Sequence, residues 1–154
     1  MNKEQRFRSM YMDIAHRVAQ MSHARRLQVG SIIVKDNRII SIGYNGMPSG
    51  WDNNCEDLVV EELDEKFINV LKTKPEVLHA ETNSLAKLAR SNDSGLDADM
   101  FVTHAPCLDC AKLIYQSGIS RVYYANEYRD TSGIIFLQKS GIVIENITPD
   151  ASLA

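Results

Sequence analysis

Two short segments of the sequence carry residue types that bind metal ions. Cys107 and Cys110 lie three residues apart behind Pro106, and His79 stands two residues before Glu81. Residues three apart share one face of a helix, so both sulfurs can point at one ion. The first turn of a helix favours thiolates, because the helix dipole is positive there. Two thiolates and one imidazole therefore predict a zinc site.

The number of ligands indicates catalysis rather than a structural role. Catalytic zinc sites have three protein ligands and keep a fourth position for water, whereas structural sites have four. Glu81 is too close in sequence to His79 to bind the same ion from a helix, but its carboxylate can carry a proton from water to a substrate. A redox pair is the alternative for Cys107 and Cys110. It is disfavoured because they follow the third predicted strand, whereas a thioredoxin-like motif follows the first.

The segments that must position these residues alternate between helical and strand patterns. This order predicts an α/β sandwich with a mostly parallel sheet and an antiparallel first strand pair. One helix is predicted from Phe7 onward, and three more span Val77–Arg90, Cys107–Ser117 and Ile134–Ser140. The predicted strands span Val29–Val34, Arg38–Tyr44, Met100–His104, Val122–Ala125 and Ile142–Ile147.

Length and composition limit the classes of protein that fit. A chain of 154 residues favours a single domain over 1–154, in which the weak helical spacing near residues 51–75 predicts an exposed helical insertion. The net charge of −3 argues against a surface that binds a nucleic-acid strand. The absence of a long apolar run and of a signal peptide predicts no membrane association. Three cysteines, an odd number, argue against a disulfide framework.

The pattern H-x-E with P-C-x-x-C is typical of zinc-dependent nucleobase deaminases. Together with Gln28-Val29-Gly30 and the run from Gly43 to Pro48, it resembles the deoxycytidylate (dCMP) deaminases of bacteria and phages, over about residues 5–147. The resemblance implies a three-layer α/β/α cytidine deaminase-like fold with a five-stranded mixed sheet. It also implies a cytoplasmic enzyme, either of a bacterium or of a phage whose protein acts in the host cytoplasm.

The resemblance assigns roles at the level of single residues. His79, Cys107 and Cys110 bind zinc, and Glu81 is the proton shuttle that protonates N3 of cytosine and then helps ammonia to leave. The product is dUMP, the precursor of thymidylate. The N–H of Ala80 contacts the pyrimidine carbonyl and Asn45 contacts the sugar 3′-hydroxyl. Further candidate substrate contacts are Val29, Tyr124, Tyr128 and Arg129. Core packing is an equal alternative for Tyr124 and Tyr128, and a solvated surface role is favoured for Arg129.

The resemblance also implies regulation. Many members of the family are homohexamers that dCTP activates and dTTP inhibits, with magnesium on the triphosphate. The implied effector site involves Arg25, Arg26, Gly43, Tyr44, Asn45 and Gly46. The family commonly has Asp-Pro at the positions of Ala24 and Arg25, so the effector contacts differ here. Two adjacent guanidiniums suit phosphate binding, either of the substrate phosphate or of an effector triphosphate, and a solvated loop is the alternative.

Two other functions fit part of the sequence. A tRNA adenosine deaminase shares the zinc motifs but should carry a basic stripe, which a net charge of −3 does not favour. A nucleotide-binding regulatory module without catalysis has no need for Glu81. Among the remaining candidates, Cys55 is expected to be a free thiol, His104 a pocket-wall residue, Lys112 a solvated side chain and Arg90 a possible subunit contact.

Overall fold

The structure is a computed structural model that describes residues 1–148. The predicted alternation of helices and strands is present. Gly118 and Gly141, at which the sequence predicts helix ends, both have positive φ in the left-handed region. The elements in chain order are α1 (Lys3–Ala19), β1 (Gly30–Lys35), β2 (Arg38–Tyr44), β3 (Glu56–Leu63), β4 (Lys66–Thr73), α2 (Ala80–Ala89), β5 (Asp99–His104), α3 (Leu108–Gln116), β6 (Arg121–Asn126), α4 (Ser132–Lys139) and β7 (Val143–Asn146).

Five strands form one mixed sheet in the order β2-β1-β5-β6-β7. β1 is antiparallel to both β2 and β5, whereas β5, β6 and β7 run parallel. The sheet is thus half parallel rather than mostly parallel. Because β5 and β6 are parallel, their carboxyl ends and the loops that follow lie at the same edge, where ligands of α/β proteins commonly bind.

The strands separate two apolar cores because successive side chains point to opposite faces of a sheet. Ile32, Phe101 and Tyr123 face α1, and their neighbours in sequence face the other way. The second core lies under α2, α3 and α4, and includes Ile33, Met100, Val102, Val122, Tyr124, Ile114, Leu88 and Leu137. One helix on one face and three on the other give the expected three layers.

The insertion between β2 and α2 is a β-hairpin, so the prediction of a helix within residues 51–75 is wrong. Strands β3 and β4 pair antiparallel from Glu56 with Thr73 to Leu63 with Lys66. The two residues between them, Asp64 and Glu65, both have positive φ, as a two-residue type I′ turn requires. β-branched side chains occur in both strands, whereas the misleading helical spacing came from the apolar residues Leu58, Leu63, Phe67, Val70 and Leu71.

The described residues contain no helix with the length and apolar character needed to cross a membrane.

Candidate active site

His79, Cys107 and Cys110 converge at the adjacent starts of α2 and α3. His79 and Cys107 are the residues that immediately precede the two helices, and Cys110 is in the first turn of α3. The Nδ1 atom of His79 lies 3.3 Å from Cys110 Sγ and 3.6 Å from Cys107 Sγ. Tetrahedral zinc with Zn–N of about 2.0 Å and Zn–S of about 2.3 Å places nitrogen and sulfur about 3.5 Å apart. The imidazole nitrogen is therefore spaced from both sulfurs as zinc requires, and all three ligand atoms lie within 4.8 Å of one another.

The two thiols differ in acidity because they interact with each other. Hydrogen bonds from Cys110 and His79 lower the pKa of Cys107 to about 4. The hydrogen bond to Cys107, together with burial, raises the pKa of Cys110. The lowered pKa of Cys107 favours the thiolate, which is the form that zinc binds.

Glu81 lies beside the three ligands in the first turn of α2 and is only 4% exposed. Burial raises the pKa of its carboxyl, with hydrogen bonds and the charge of His79 acting in the opposite direction. A carboxyl with a raised pKa exchanges protons more readily near neutral pH. The side chain can therefore carry a proton between water and a bound substrate.

A cavity of about 380 Å³ opens above these residues, and we call it the His79 cavity. Its walls come from the loop after α1, the start of β1, the base of the β3–β4 hairpin, the start of α2 and the loops after β5 and β6. Its lining residues are Ala24, Arg26, Leu27, Val29, Asn45, Cys55, Glu56, Thr73, Val77, His79, Ala80, Glu81, His104, Ala105, Cys107 and Tyr128.

Residues 5–126 match the zinc-binding region of cytidine and deoxycytidylate deaminases. The chain belongs to this deaminase family. Its members share a hydrolytic reaction that depends on zinc, and the three ligands with Glu81 fit that chemistry. The deaminase is 34% identical to the deoxycytidylate deaminase of Mus musculus, over 92% of this chain and 80% of the relative. It is 35% identical to that of Enterobacteria phage T4, over 78% of each chain.

The fold of the deaminase also matches a solved phage structure. The dCMP deaminase of cyanophage S-TIM5, in complex with dCMP and dUMP, superimposes with a TM-score of 0.81 and 42% sequence identity. The match covers 96% of this chain and 99% of the phage chain. The predicted cytidine deaminase-like fold is therefore confirmed.

Several of the candidate substrate contacts lie on the wall of the His79 cavity. Val29, Ala80 and Tyr128 line it, and Tyr128 is 47% exposed. Asn45 lines it too, but its side chain also supports the loop: Oδ1 accepts a hydrogen bond from Val29 N at 2.9 Å and Nδ2 donates one to Leu27 O at 2.8 Å. The second N–H of that amide remains available to a ligand.

Tyr124 and Arg129 do not line the cavity. Tyr124 is buried in the core under α2, α3 and α4, because its position in β6 points the ring into that face of the sheet. The expectation of a pocket-rim tyrosine is thereby corrected in favour of core packing. Arg129 is exposed in the loop after β6.

The six residues predicted for an effector site occupy different places in the deaminase. Tyr44, Asn45 and Gly46 line a second cavity of about 430 Å³, together with residues such as His23 and Lys87. Gly43 instead lies against α2, where an added Cβ would come within 2.4 Å of Ala80 O. The structure therefore separates Gly43 from its three neighbours in the run.

The side chains of Arg25 and Arg26, the two adjacent arginines of this predicted set, lie in different surroundings. Arg25 turns to the hairpin, where its Nε lies 3.4 Å from Glu56 Oε2 and its Nη2 lies 3.1 Å from Asn54 Oδ1. Arg26 lines the His79 cavity. The pair is thus divided between the hairpin and the zinc-side cavity, and neither residue lines the second cavity.

The residues that sequence reasoning missed come from the β3–β4 hairpin. Glu56 and Thr73 face each other at its base and both line the His79 cavity. A helix over this segment would place these two residues far apart, so the prediction of a helix did not bring them together at the cavity. The signal that could have revealed it is the two-residue stretch Asp64-Glu65 between two β-branched segments, which suits a hairpin turn.

The remaining candidates have plain structural surroundings. Cys55 is a buried free thiol that lines the cavity away from the metal ligands, and His104 is on the cavity wall with Nδ1 2.9 Å from Thr103 Oγ1. Lys112 is exposed and pairs with Asp109 at 3.3 Å. Arg90 is the residue that ends α2.

Proposed function

We propose that the chain hydrolyses dCMP to dUMP and ammonia, and so supplies dUMP for thymidylate synthesis. The observation that carries this proposal is the placement of Glu81 beside a three-ligand zinc set, inside a cavity large enough for a nucleotide. The 42% identity to a phage dCMP deaminase in complex with dCMP and dUMP supports the choice of substrate.

The residues of the cavity divide the work of this reaction. His79, Cys107 and Cys110 would hold zinc, which when bound lowers the pKa of a water molecule so that a nucleophile exists at neutral pH. Glu81 takes the proton of that water and delivers it to N3 of cytosine, and a second transfer to the amino group at C4 lets ammonia leave. The net change is the replacement of the amino group by a carbonyl oxygen from water.

Binding and orientation fall to the other wall residues. The N–H of Ala80 is at the start of α2, where no acceptor exists within the helix, and it suits the pyrimidine carbonyl. The free N–H of Asn45 suits the sugar 3′-hydroxyl, Val29 contacts the sugar ring, and Tyr128 stacks on the base.

The same proposal includes regulation in a homo-oligomer. Activation by dCTP, inhibition by dTTP and magnesium on the bound triphosphate would act through the cavity lined by Tyr44, Asn45 and Gly46, and the assembly would be a hexamer. Asn45 faces both cavities, so a ligand in the second one could change the loop that contacts substrate.

An ammonia-release assay with the zinc-loaded protein tests the proposal. It compares dCMP, dCTP, deoxycytidine and CMP, each alone and with added dCTP or dTTP. We expect release from dCMP above all, raised by dCTP and lowered by dTTP. No turnover of dCMP under any of these conditions contradicts the proposal, and inosine formation in tRNA would favour the nucleic-acid deaminase instead.

A further inference from the structure

The loop between α1 and β1 is held by a buried carboxylate from the hairpin. Glu56 is 1% exposed, and its Oε1 accepts hydrogen bonds from the backbone N–H groups of Arg25 at 2.7 Å and Arg26 at 3.1 Å. Its Oε2 lies 3.4 Å from Arg25 Nε. The negative charge of Glu56 is therefore matched by donors within the protein, and the backbone of the loop is fixed at Arg26.

The Arg26 side chain leaves this fixed point toward the His79 cavity. Its Nη1 donates a hydrogen bond to Thr73 Oγ1 at 3.1 Å, across the base of the hairpin. Within residues 1–148 its guanidinium forms no ion pair, whereas that of Arg25 does. Of the described residues that line the cavity, Arg26 alone carries a permanent positive charge. A guanidinium with unused donors in a cavity wall favours an anionic ligand.

Arg26 also lies on the correct side of the cavity for the phosphate of a nucleotide. It precedes Leu27, whose carbonyl oxygen accepts a hydrogen bond from Asn45 Nδ2. The Oδ1 atom of Asn45 in turn accepts a hydrogen bond from Val29 N. Arg26, Val29 and Asn45 thus belong to one part of the cavity wall, whereas the zinc ligands come from the starts of α2 and α3. A pyrimidine directed at Glu81 leaves its sugar and phosphate against this wall.

We propose that Arg26 and Thr73 bind the 5′-phosphate of the substrate, and that Glu56 is a positioning residue for Arg26. This inference rests on the proposed nucleotide substrate, and of the two phosphates that the sequence left open for Arg26 it chooses that of the substrate over that of an effector. The phosphate accepts hydrogen bonds from the guanidinium and from the Thr73 hydroxyl. The hairpin therefore makes the cavity selective for nucleotides over nucleosides.

Equilibrium binding of the product separates this inference from catalysis. Calorimetry measures the affinity of the zinc-loaded full chain for dUMP and for 2′-deoxyuridine, which lacks the phosphate. We expect Arg26→Gln to weaken dUMP binding by about tenfold to a hundredfold and to leave 2′-deoxyuridine binding unchanged. Arg6→Gln removes the same charge from the exposed face of α1 and is the matched control.

Two further variants keep the test decisive. Thr73→Val retains the shape of the side chain without the hydroxyl, and we expect a severalfold loss for dUMP alone. Glu56→Gln weakens the hold on the loop, so dUMP binding falls while 2′-deoxyuridine binding is kept, and for dCMP turnover KM rises more than kcat falls. A variant with only a general structural effect would weaken both ligands equally.

The results that would overturn the phosphate site differ from those that would overturn the proposed deamination of dCMP. Unchanged dUMP affinity in Arg26→Gln overturns the inference, as does an equal loss for both ligands, or a selective loss in Arg129→Gln instead. If dUMP binding depends on Arg26 but the wild type releases no ammonia from dCMP, the proposed reaction fails and the phosphate site stands.

Discussion

The two buried glutamates of the His79 cavity, Glu81 and Glu56, have pKa values that are shifted in opposite directions. Burial dominates at Glu81 and raises the pKa of its carboxyl. Burial also acts on Glu56, but the N–H groups of Arg26 and Arg25 and the Arg25 guanidinium outweigh it and lower that pKa. Glu81 is therefore suited to exchange protons, whereas the lowered pKa of Glu56 favours a carboxylate that holds the loop at neutral pH.

Glu81→Gln keeps the size of the side chain but removes its proton exchange. We expect kcat for dCMP to fall by about 10²- to 10⁴-fold. Zinc content should stay near that of the wild type because Glu81 is not among the three ligands. Ammonia release and metal analysis on the same preparations check both statements, with the exposed Glu61→Gln as control. Wild-type turnover of dCMP in Glu81→Gln would refute the role of Glu81 as the proton shuttle.

The lowered pKa of Glu56 predicts how stability depends on pH. A carboxyl whose pKa is lowered in the folded state stabilises the fold above its ordinary value of 4.5, and that contribution is lost as pH falls through the lower folded value. We expect Glu56→Gln to cost about 1–3 kcal/mol of unfolding free energy at pH 7, with the difference from wild type shrinking below about pH 4.5.

Urea unfolding of both proteins between pH 4 and 7 measures this difference. Chelator is present throughout, so that zinc release at low pH does not contribute. A difference that grows as the pH falls would show that the Glu56 charge does not stabilise the loop.

At the scale of elements, the zinc site depends on how closely α4 approaches the turn before α3. A Cβ added at Gly133 would lie 2.1 Å from Pro106 O and 2.9 Å from the carbonyl carbon of Cys107. Both contacts are to backbone, which cannot rotate away. The glycine therefore permits the helix packing that places Cys107 opposite His79.

Gly133→Ala is expected to displace this turn and to weaken zinc binding. The overpacked contact should cost about 1–3 kcal/mol of stability. Competition with a chromogenic chelator measures the zinc affinity, and Ser132→Ala, one residue earlier in α4, is the control. Wild-type zinc affinity in Gly133→Ala would show that the turn tolerates the shift.

The elements also show where sequence patterns are sufficient and where they are not. The convergence of His79, Cys107 and Cys110 beside Glu81 was predictable because each residue lies at the start of a helix, which spacing along the chain reveals. Glu56 and Thr73 were not, because Thr73 meets Arg26 across 47 positions and only after β3 and β4 pair. Tyr124 was ambiguous because the phase of a strand, rather than its existence, decides which face a ring takes.

For the molecule as a whole, the metal site links two of the three helices on one face of the sheet. α2 and α3 both pack on the same core, and their starts converge at His79, Cys107 and Cys110. A ligand that binds only the folded state stabilises it by mass action. Zinc should therefore contribute to the stability of the whole domain as well as to the reaction.

Removal of zinc is expected to lower Tm by about 10 °C when free zinc had been about a thousandfold above its Kd. Differential scanning calorimetry with and without chelator measures the shift. Cys107→Ser should have no such shift, and Cys55→Ala should keep it, because Cys55 lies outside the ligand group. A chelator response in Cys107→Ser equal to that of wild type would exclude this thiolate as a ligand.

The hairpin has two ends with different surroundings. Its base contributes Glu56 and Thr73 to the cavity, whereas its tip at Asp64 and Glu65 is exposed, and Phe67 beside it is 76% exposed. A fluorescent reporter domain inserted at the tip would leave the cavity wall intact and stay joined to it by two continuous strands. This one feature offers a route from an enzyme to a biosensor for pyrimidine nucleotides.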